Sequence, residues 1–395
     1  MDPEKKLDIF YILNSRFPTI KAYGLQVAKT CEGFKKNGAR VRLIIPIRKR
    51  HKEIKGIDTF DLYGIKEKFR LIKLPSLDVA WIGLNTKIFF AIQQGTFALL
   101  TLIYLIGKKG TIYSRDNFSL YFLSFVRKNI YWEVHQFPEH IHSFMYKRLL
   151  AHVSGIVVIT EGLKKKFLEH GIPEAKILVA HDGVDLEEFT IMNSQGQCRD
   201  ELRLPRDKKI IGYVGQLRTL GMDKGINALI EACDLLRKKR FDCLMVIVGG
   251  DEQDLEFYKK EAADRHIPET ELLFTGRKEH RLIPKYLKAF DVTTMPFPYN
   301  DHFAFYMSPL KLFEYMASGR PIIASDLPSV REVLNDNNAF LTQPGSVEQL
   351  VQAIEHAVDF PDQAVVRAQK ALIDIRHYTW VKRCDKIIQF IKHNL

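Results

Sequence analysis

Short apolar runs alternate with amphipathic stretches along most of the chain. The apolar runs have the length of strands that are buried on both faces of a parallel sheet. They lie at Leu7–Leu13, Val41–Pro46, Thr111–Ser114, Ile130–Val134, Gly155–Thr160, Lys209–Gly215, Cys243–Val248, Leu272–Arg277, Val292–Pro296 and Pro321–Ser325. Residues with helical periodicity separate several of these runs, and such βαβ alternation predicts an α/β fold with parallel sheets.

Residues 308–332 show how one such unit is built. Pro309 lies where the first turn of a helix tolerates proline, because the N–H group that it lacks would have no intrahelical partner there. Apolar residues then recur at helical spacing and predict one buried face: Leu310, Phe313, Met316 and Ala317. Gly319 is a typical C-cap, so the segment predicts a helix, a turn and the buried strand Pro321–Ser325.

The start of this helix is a candidate anion site. Backbone N–H groups at a helix N-terminus can hold a phosphate, which makes Ser308, Pro309 and Leu310 candidate ligands. Lys311 adds a positive charge, and Glu314, one turn further on, can accept hydrogen bonds from paired hydroxyls. The alternative is an ordinary βα unit with Lys311 and Glu314 on its solvated face.

A second candidate site follows the first strand of the second half. Gly215 begins a glycine-rich turn, and Arg218 and Lys224 come before the next helix. Both cations suit a diphosphate, because guanidinium binds it bidentately and lysine supplies a point charge. The Gly-x-Gly-x-x-Gly pattern of dinucleotide-binding folds is missing.

In the first half, the loop Arg16–Gly24 follows the first strand. Ligands bind beyond the carboxyl ends of parallel strands, so we expect Arg16, Tyr23 and Gly24 to form one wall of a ligand site. Arg115 and His135 stand just past two further strands, on the same edge of the sheet. A lone histidine is more often structural, but two polar residues on one edge favour a site.

The segment SPLKLFEYMASGRPIIAS, residues 308–325, resembles the donor-binding segment of the GT-B glycosyltransferases. The resemblance is to the retaining family 4, or group 1 type, which includes sucrose synthases and phosphatidylinositol mannosyltransferases. Arg218 and Lys224-Gly225 resemble its Gly-Arg…Lys-Gly signature. Ile177–Phe189 matches its closing PNGVD…F element, with His181-Asp182 in place of Pro-Asn.

This resemblance, strong over residues 211–332, implies two Rossmann-like parallel-sheet domains that face a deep cleft. It implies an acceptor-binding domain at residues 1–190 and a donor-binding domain at 200–377, with a polar, irregular linker between them. A last helix within residues 378–395 would cross back to the first domain.

The resemblance also implies retaining transfer of a sugar from a UDP- or GDP-sugar to an acceptor, without a cofactor, and no metal is needed where Arg218 and Lys224 supply the positive charge. We expect a glycan or lipid-linked acceptor, for which the basic first half and the apolar segment 89–106 are the grounds. The residues that it implies for donor binding are Gly215, Arg218, Lys224, Gly249, Arg277, Ser308, Pro309, Leu310, Lys311 and Glu314. Arg218 and Lys224 would stabilise the charge that develops on the leaving diphosphate. Glu314 would bind the ribose, the backbone at Arg277 would contact the base, and His135 would position the transferred sugar.

One position departs from the family pattern. The family often has two glutamates in Glu-x7-Glu; here Glu314 is the second, and Tyr306 takes the place of the first. The missing acid often lies near the donor sugar, so the donor sugar, base, acceptor and linkage stay open. A sugar-nucleotide epimerase of the same fold and a non-catalytic nucleotide-binding module remain as alternatives. A phosphorylase is a further one, although no motif for a pyridoxal-phosphate lysine is present.

The composition of the chain indicates its number of domains and its cellular compartment, and it gives no sign of a metal or nucleic-acid partner. A length of 395 residues suggests two domains. The cysteines are scattered without a Cys-x-x-Cys, which favours a reducing cytoplasm over a disulfide framework, and the charged N-terminus MDPEKKLDIFYIL does not resemble a signal peptide. The dispersed histidines indicate no metal site, and no motif indicates nucleic acid.

The formal charge of +12 lies almost wholly in the first half, because residues 1–190 hold 30 Lys and Arg against 19 Asp and Glu. Such a half attracts anionic partners such as a membrane surface, although much of the charge can equally be a solvated face. Residues 47–75 are basic, and we expect them to be irregular. The candidate membrane contacts in this region are Arg48, Lys49, Arg50 and Lys52.

The segment Phe89–Ile106 is uncharged and apolar over 18 residues, between Lys87 and Lys108-Lys109. It just reaches the length of a membrane span, but Gln93–Thr96 interrupt it, and a span would separate two parts of one sheet. We therefore expect a buried crossover helix. The functional alternative is a helix that rests in the membrane surface, with its lysines at the headgroups, on a protein peripheral to the inner face of the cell membrane.

Overall fold

The structure is a computed structural model that describes residues 6–48, 54–78 and 87–395. It divides into two compact units, one comprising Met1–Asp182 with Trp380–Leu395 and the other Gly183–Thr379. Each unit is built around a parallel sheet with Rossmann-like βα connections. The predicted α/β class with two Rossmann-like parallel sheets is thereby confirmed, and the last helix belongs to the first unit as expected.

The sheet of the first unit has the strand order β3-β2-β1-β4-β5-β6-β7, and its pairs are parallel. Its strands are β1 (Asp8–Ile12), β2 (Arg40–Pro46), β3 (Arg70–Leu74), β4 (Thr111–Ser114), β5 (Ile130–Val134), β6 (Gly155–Val158) and β7 (Ile177–Val179). The central strands β4, β5 and β6 are buried along their whole length. Continuous apolar sequence is what strands covered on both faces require.

Helices cover this sheet. They are α1 (Ala22–Lys36), α2 (Thr59–Leu62), α3 (Lys87–Leu105), α4 (Asn117–Leu123), α5 (Phe144–His152), α6 (Glu161–Glu169) and, from the end of the chain, α17 (Trp380–His393). Helix α17 packs closely on α1, because a Cβ placed on Gly33 would lie 2.7 Å from Cys384 Sγ. Its residues Ile387, Ile388 and Ile391 are buried in the core of the first unit.

The expectation of irregular structure over residues 47–75 was wrong, because α2 and the edge strand β3 lie there. Strand β3 carries the exposed basic residues Arg70 and Lys73 among three partly buried apolar residues. Charged residues on an edge strand discourage further pairing, and here they disguise the strand in the sequence. Of the candidate membrane contacts, Lys49, Arg50 and Lys52 lie outside the described residues.

Helix α3 fulfils only half of the expectation of a buried crossover helix. Phe97, Ala98 and Leu105 are buried in the unit, but a stripe on another face, continued by the residue directly after the helix, is exposed: Ile92, Leu99, Ile103 and Ile106, with exposures of 43–69%. Among the described residues, no helix combines the length and hydropathy that a membrane span requires.

The sheet of the second unit has the order β12-β11-β8-β13-β14-β15, again with parallel pairs. Its strands are β8 (Lys209–Val214), β11 (Cys243–Val248), β12 (Leu272–Gly276), β13 (Val292–Met295), β14 (Ile322–Ser325) and β15 (Phe340–Thr342), and a small hairpin joins β9 (Arg218–Thr219) to β10 (Met222–Asp223). A Cβ on Gly212 would lie 1.9 Å from the Phe290 ring, so glycine lets that ring pack against β8.

The helices of the second unit are α7 (Leu186–Phe189), α8 (Gln195–Leu202), α9 (Ile226–Lys238), α10 (Glu252–Asp264), α11 (Ile283–Ala289), α12 (Asp301–Phe305), α13 (Leu310–Ser318), α14 (Pro328–Arg331), α15 (Val347–Asp359) and α16 (Pro361–Asp374). Helix α8 corrects the expectation of an irregular stretch at residues 190–200. Ser194 and Gln197 form a capping box at its start. This Ser-x-x-Gln signal is present in the sequence.

The unit predicted at residues 308–325 forms α13 and β14. Pro309 is the N-cap of α13, one position before the predicted first turn, and Gly319 ends the helix with a φ of +65°. Phe313, Met316 and Ala317 join the hydrophobic core, whereas Leu310 stays partly exposed.

Candidate functional site

Glycines bring the loops at the carboxyl edge of the second sheet into close contact. Gly215 and Gly249 have φ values of +141° and +123°, and a Cβ on Gly249 would lie 2.1 Å from the carbonyl oxygen of Gly215. Gly225 has a φ of +89°, and a Cβ there would lie 1.9 Å from the carbonyl oxygen of Pro296. These positions accept only glycine, and the backbone forms a tight floor beyond β8, β11 and β13.

Two lysines lie beside this floor. Lys311 is buried, and its Nζ has no hydrogen-bond partner; it sits 3.5 Å from the centre of the Tyr213 ring. A Cβ on Gly215 would come within 2.9 Å of this Nζ. Burial, and then the charge of Lys224, lower the pKa of Lys311 well below its usual range. Burial also lowers the pKa of Lys224, to about 8.

The N-termini of two helices differ in this region. The first N–H groups of α9 are already occupied, because Asp223 accepts hydrogen bonds from Gly225 N at 2.9 Å and from Ile226 N at 3.1 Å. Helix α13 has no side-chain cap, since its N-cap is Pro309. Lys311 lies in the first turn of this helix. Two independent features therefore favour an anion at α13: an N-cap residue that makes no side-chain hydrogen bond and a buried amine without a hydrogen-bond partner.

Arg218, predicted as the partner of Lys224, is turned toward α10. Its Nε donates to Tyr258 Oη at 3.3 Å and lies 3.7 Å from Asp254 Oδ1, and its guanidinium carbon is 4.3 Å from the centre of the Phe257 ring. The hairpin that carries Arg218 sets this direction. The structure thus brings Lys224 and Lys311 together and engages Arg218 with a carboxylate and two rings.

Glu314 has a neighbour that sequence reasoning missed. His280 Nε2 lies 3.3 Å from Glu314 Oε1, and His280 Nδ1 lies 3.8 Å from Glu188 Oε2. Residues 280 and 314 are on different elements, so no local pattern pairs them. Arg277 follows β12 and is exposed. Tyr306 is the C-cap of α12, and its N–H donates to the carbonyl of His302 at 3.1 Å.

The carboxyl edge of the first sheet holds a buried network of charges. His135 Nε2 lies 2.6 Å from Glu133 Oε1, and Arg383 Nη2 of α17 donates to the same oxygen at 2.9 Å. Both side chains of the Glu133–Arg383 pair are only 2% exposed. Burial raises the pKa of Glu133, but Arg383 and His135 outweigh it and hold that pKa well below its usual range. Burial, followed by the charge of Arg115, lowers the pKa of His135.

Arg115 and His135 line one cavity of about 490 Å³, as expected for residues on one edge of the sheet. Arg115 Nη1 donates to Gln26 Oε1 at 3.0 Å, and Gln26 Nε2 donates to Asp182 Oδ2. Asp182 is buried, which raises its pKa. Gln26 and Asp182 were not predicted, and the replacement of Pro-Asn at 181–182 was the only sequence signal.

The loop after β1 is held by internal bonds. Arg16 forms an ion pair with Asp78 at 3.1 Å, and Tyr23 Oη donates to the carbonyl of Arg16 at 2.9 Å. A Cβ on Gly24 would lie 2.4 Å from Tyr63 Oη, so this glycine is required for packing within the unit. Arg48 Nη2 donates to Asn14 Oδ1 at 2.8 Å, which ties Arg48 to the same loop.

Comparison with known proteins gives this architecture a context. Residues 194–372 match the family model described as Glycosyl transferases group 1. The chain is 22% identical over 261 residues to the lipopolysaccharide 1,2-N-acetylglucosaminetransferase of Salmonella typhimurium, which is 64% of this chain and 66% of that protein. It is 26% identical over 216 residues to the UDP-Gal:alpha-D-GlcNAc-diphosphoundecaprenol alpha-1,3-galactosyltransferase of Escherichia coli, covering 54% of this chain and 53% of that one.

Among solved structures, that of Anabaena Alr3699/HepE in complex with UDP and glucose is similar over 98% of this chain and 99% of its own, with a TM-score of 0.73 and 15% identity. At this identity the likeness establishes the fold. The chain spans 41–66% of the length of the first curated relatives that it matches.

Proposed function

We propose that this chain, whose residues 194–372 match the group 1 glycosyltransferase family model, transfers a sugar from a nucleotide-diphosphate donor to a glycan or lipid-linked acceptor. The observation that carries the proposal is the buried Lys311 amine without a partner, beside Gly215 and at the uncapped start of α13. A buried cation is costly unless something pairs with it. A diphosphate is a suitable partner, because a phosphate also satisfies the N–H groups of a helix N-terminus.

The donor diphosphate would lie between the tight glycine floor and α13. Lys224 and Lys311 would supply two positive charges for its negative charge, and the backbone around Ser308, Pro309 and Leu310 would add N–H donors. As the bond from sugar to phosphate breaks, negative charge grows on the diphosphate, and fixed cations in a dry site stabilise it strongly. Arg218 would contribute only after leaving Asp254, so we expect it to matter less than either lysine.

The nucleoside would extend from the diphosphate along the same edge of the sheet. Glu314 would accept hydrogen bonds from the ribose hydroxyls, with His280 at 3.3 Å fixing one of its oxygens. The backbone near Gly249 and Arg277 would border the base. UDP is the first nucleotide to test, because the Anabaena neighbour is described in complex with UDP. GDP is the second nucleotide to test.

The reacting sugar would be positioned by His135 of the first unit. We propose retention of configuration on the resemblance to the retaining family. Arg115, and the loop that carries Arg16, Tyr23 and Gly24, would form the acceptor side.

The acceptor would bind in the 490 Å³ cavity at the edge of the first sheet. That volume lies in the range of small-molecule sites. Trp132 stacks on Tyr146 in its wall with ring centres 5.8 Å apart, and Asn117 Nδ2 donates to Tyr146 Oη. Aromatic rings beside hydroxyl and amide groups suit a sugar, which has apolar C–H faces and polar edges.

We propose that this acceptor is attached to a lipid. Asn117, at the first position of α4, lines the cavity, and the other end of the same short helix leads to an exposed apolar cluster: Phe122, Phe125 and Val126. Helix α3 packs against α4 and adds its own exposed stripe. We call the stripe and the cluster together the apolar face. A membrane is a fitting occupant, because exposed Lys108, Lys109 and Lys128 lie beside the apolar face and can contact anionic headgroups.

Thermal denaturation with UDP, GDP, ADP and their sugars tests the donor site. UDP at 100 times its dissociation constant should raise the free energy of unfolding by about 2.7 kcal/mol. Lys224→Met and Lys311→Met should each weaken UDP binding by about tenfold or more, the value of a charged hydrogen bond. Lys311→Met should also raise the melting temperature without ligand, because it removes a buried amine that has no hydrogen-bond partner.

Lys260→Met is the matched control, since Lys260 is exposed on α10 and should not contact the donor. Equal UDP responses in wild type and Lys311→Met would contradict the proposed phosphate site. Release of UDP from a UDP-sugar only in the presence of an acceptor glycan would support transfer. Nucleotide binding without any release would favour the non-catalytic module, for which Tyr306 is the motivating residue.

A further inference from the structure

The C-terminal helix α17 places a buried cation directly behind the candidate sugar-positioning histidine. Arg383 and His135 contact the same carboxylate oxygen of Glu133, at 2.9 Å and 2.6 Å. Arg383 is otherwise held by Thr30 Oγ1, 3.4 Å from its Nη1. Arg383 of α17, Glu133 of β5 and His135 in the cavity wall are thus connected by successive contacts.

The position of Arg383 is rigidly defined by packing. Next to it, Cys384 lies against the Gly33 backbone of α1, and further along the helix Tyr131 Oη of β5 donates to the carbonyl of Ile391 at 3.1 Å. Phe390 fills the space above Gly155, where a Cβ would lie 2.5 Å from its ring. Small residues on α1 and β6 therefore let α17 approach the sheet closely, and the guanidinium has little freedom to move.

We infer that Arg383 is a positioning residue that keeps His135 as the neutral tautomer with its proton on Nε2, so that Nδ1 is a hydrogen-bond acceptor. Glu133 is ionised and can only accept, so the hydrogen between it and His135 belongs to Nε2. Arg383 balances the carboxylate charge, and therefore Glu133 does not draw a second proton onto the imidazole. The catalytic relevance of His135 rests on the proposed function. Its tautomer is inferred from the contacts with Glu133 and Arg383 alone and does not depend on that function.

The other charges around His135 act in both directions. Arg115, which follows β4, disfavours the imidazolium form of His135. Glu133 in β5 and Asp182, which follows β7, favour that form. Glu139 and His140 line the same cavity. Removal of Arg383 would leave the Glu133 carboxylate without its principal counter-charge. The pKa of His135 should then rise by about one to three units, the usual effect of a close opposite charge, and Nδ1 would be a donor up to a higher pH than in wild type.

In a neutral state, Nδ1 can accept a hydrogen bond from a hydroxyl of the sugar or the acceptor. If His135 were an imidazolium, it would instead place a positive charge beside a sugar that itself develops positive character. We therefore expect the charge state of His135, set from α17, to affect kcat more than the KM for the donor.

The test is long-range ¹H–¹⁵N NMR of the full chain with labelled histidine, assigned with His135→Gln. At neutral pH, wild type should show His135 with a protonated Nε2 and an unprotonated Nδ1. Arg383→Met should shift its titration upward by about one unit or more, and Arg383→Lys, which keeps the charge, should restore most of the wild-type value. Lys386→Met, an exposed lysine on the same helix, is the control and should change nothing.

An Nδ1–H tautomer or an imidazolium in wild type at neutral pH would overturn the inference, as would a folded Arg383→Met with an unchanged titration. If Arg383→Met does not fold, the double variant Glu133→Gln/Arg383→Met leaves no unbalanced buried charge and should give a folded protein. The amide introduced by Glu133→Gln can either donate to or accept from His135, so in the double variant His135 should populate both neutral tautomers. Retention of the Nε2–H form alone would count against the inference. These spectra need no substrate, so a missing transferase activity would contradict the proposed function alone.

Discussion

At the scale of single residues, the two lysines of the candidate donor site give it a defined pH dependence. Burial lowers the pKa of Lys224 to about 8 and that of Lys311 well below its usual range. A bound diphosphate favours the charged form of both amines and raises both pKa values. Affinity for UDP should therefore be highest below the free-state pKa values and should fall as pH rises through those of the bound state. In between, binding should take up protons.

Calorimetry of UDP binding checks this in buffers of different ionisation enthalpy between pH 7.5 and 9. The phosphate of UDP is fully ionised there, because its second pKa is about 6, so any uptake comes from the protein. Wild type should take up a fraction of a proton or more at pH 8, and Lys311→Met should take up less. Equal heats in all buffers at every pH would show that neither lysine changes its charge on binding.

Individual residues also show how far the site could be predicted from sequence. Gly215, Gly249, Lys224 and the start of α13 follow from the order of strands and turns, and the structure places them together at one edge. The direction of Arg218 could not be predicted, because the hairpin β9–β10 decides it. The contacts of Glu314 with His280 and of His135 with Arg383 through Glu133 join residues far apart in the chain, and no local pattern carries them.

At the scale of secondary-structure elements, helix α3 shows what periodicity cannot decide. Its sequence is largely apolar apart from Gln93–Thr96, which predicts a helix in an apolar environment but not which face contacts the protein. The structure buries Phe97, Ala98 and Thr101 and leaves the stripe from Ile92 to Ile106 exposed. The edge strand β3 is the opposite case, in which exposed charges hide a true strand.

The exposed stripe of α3 leads us to predict that the protein binds to anionic membranes. Wild type should float with vesicles that contain phosphatidylglycerol at physiological salt, since apolar side chains and lysines can both engage the surface. Ile103→Asp/Phe125→Asp should abolish flotation, because it puts charge into the apolar face while leaving the buried side of α3 unchanged.

The matched control is Val366→Asp/Ile373→Asp, which changes two exposed apolar residues of α16 by the same chemistry. This variant should float like wild type. If wild type stays in the dense fraction, or both double variants float equally well, the apolar face does not bind the membrane.

At the scale of the whole molecule, the alternation of apolar runs and amphipathic stretches was enough to predict parallel sheets, whereas the number of two domains came from the chain length and from the resemblance. The sequence order alone could not predict that the last helix belongs to the first unit; the resemblance to the family supplied it. The five cysteines are buried and free in the structure, scattered over both units.

The two units have separate cores, which leads to a prediction about fragments. The clusters of the second unit are built from residues between Val184 and Ile375. Its two ends also meet, because Val184 N donates to the carbonyl of Tyr378 at 3.0 Å. A fragment of residues 183–379 should therefore fold and bind UDP, and Lys224→Met should weaken that binding as in the full chain.

Residues 1–182 without α17 should not fold. They lose three buried isoleucines, each worth about 2–5 kcal/mol, against a total domain stability of about 5–15 kcal/mol. Circular dichroism and thermal denaturation of both fragments, with and without UDP, measure the outcome. A folded 1–182 fragment would show that α17 is dispensable to the first core. A folded 183–379 fragment that does not respond to UDP would contradict the proposed location of the donor site in the second unit.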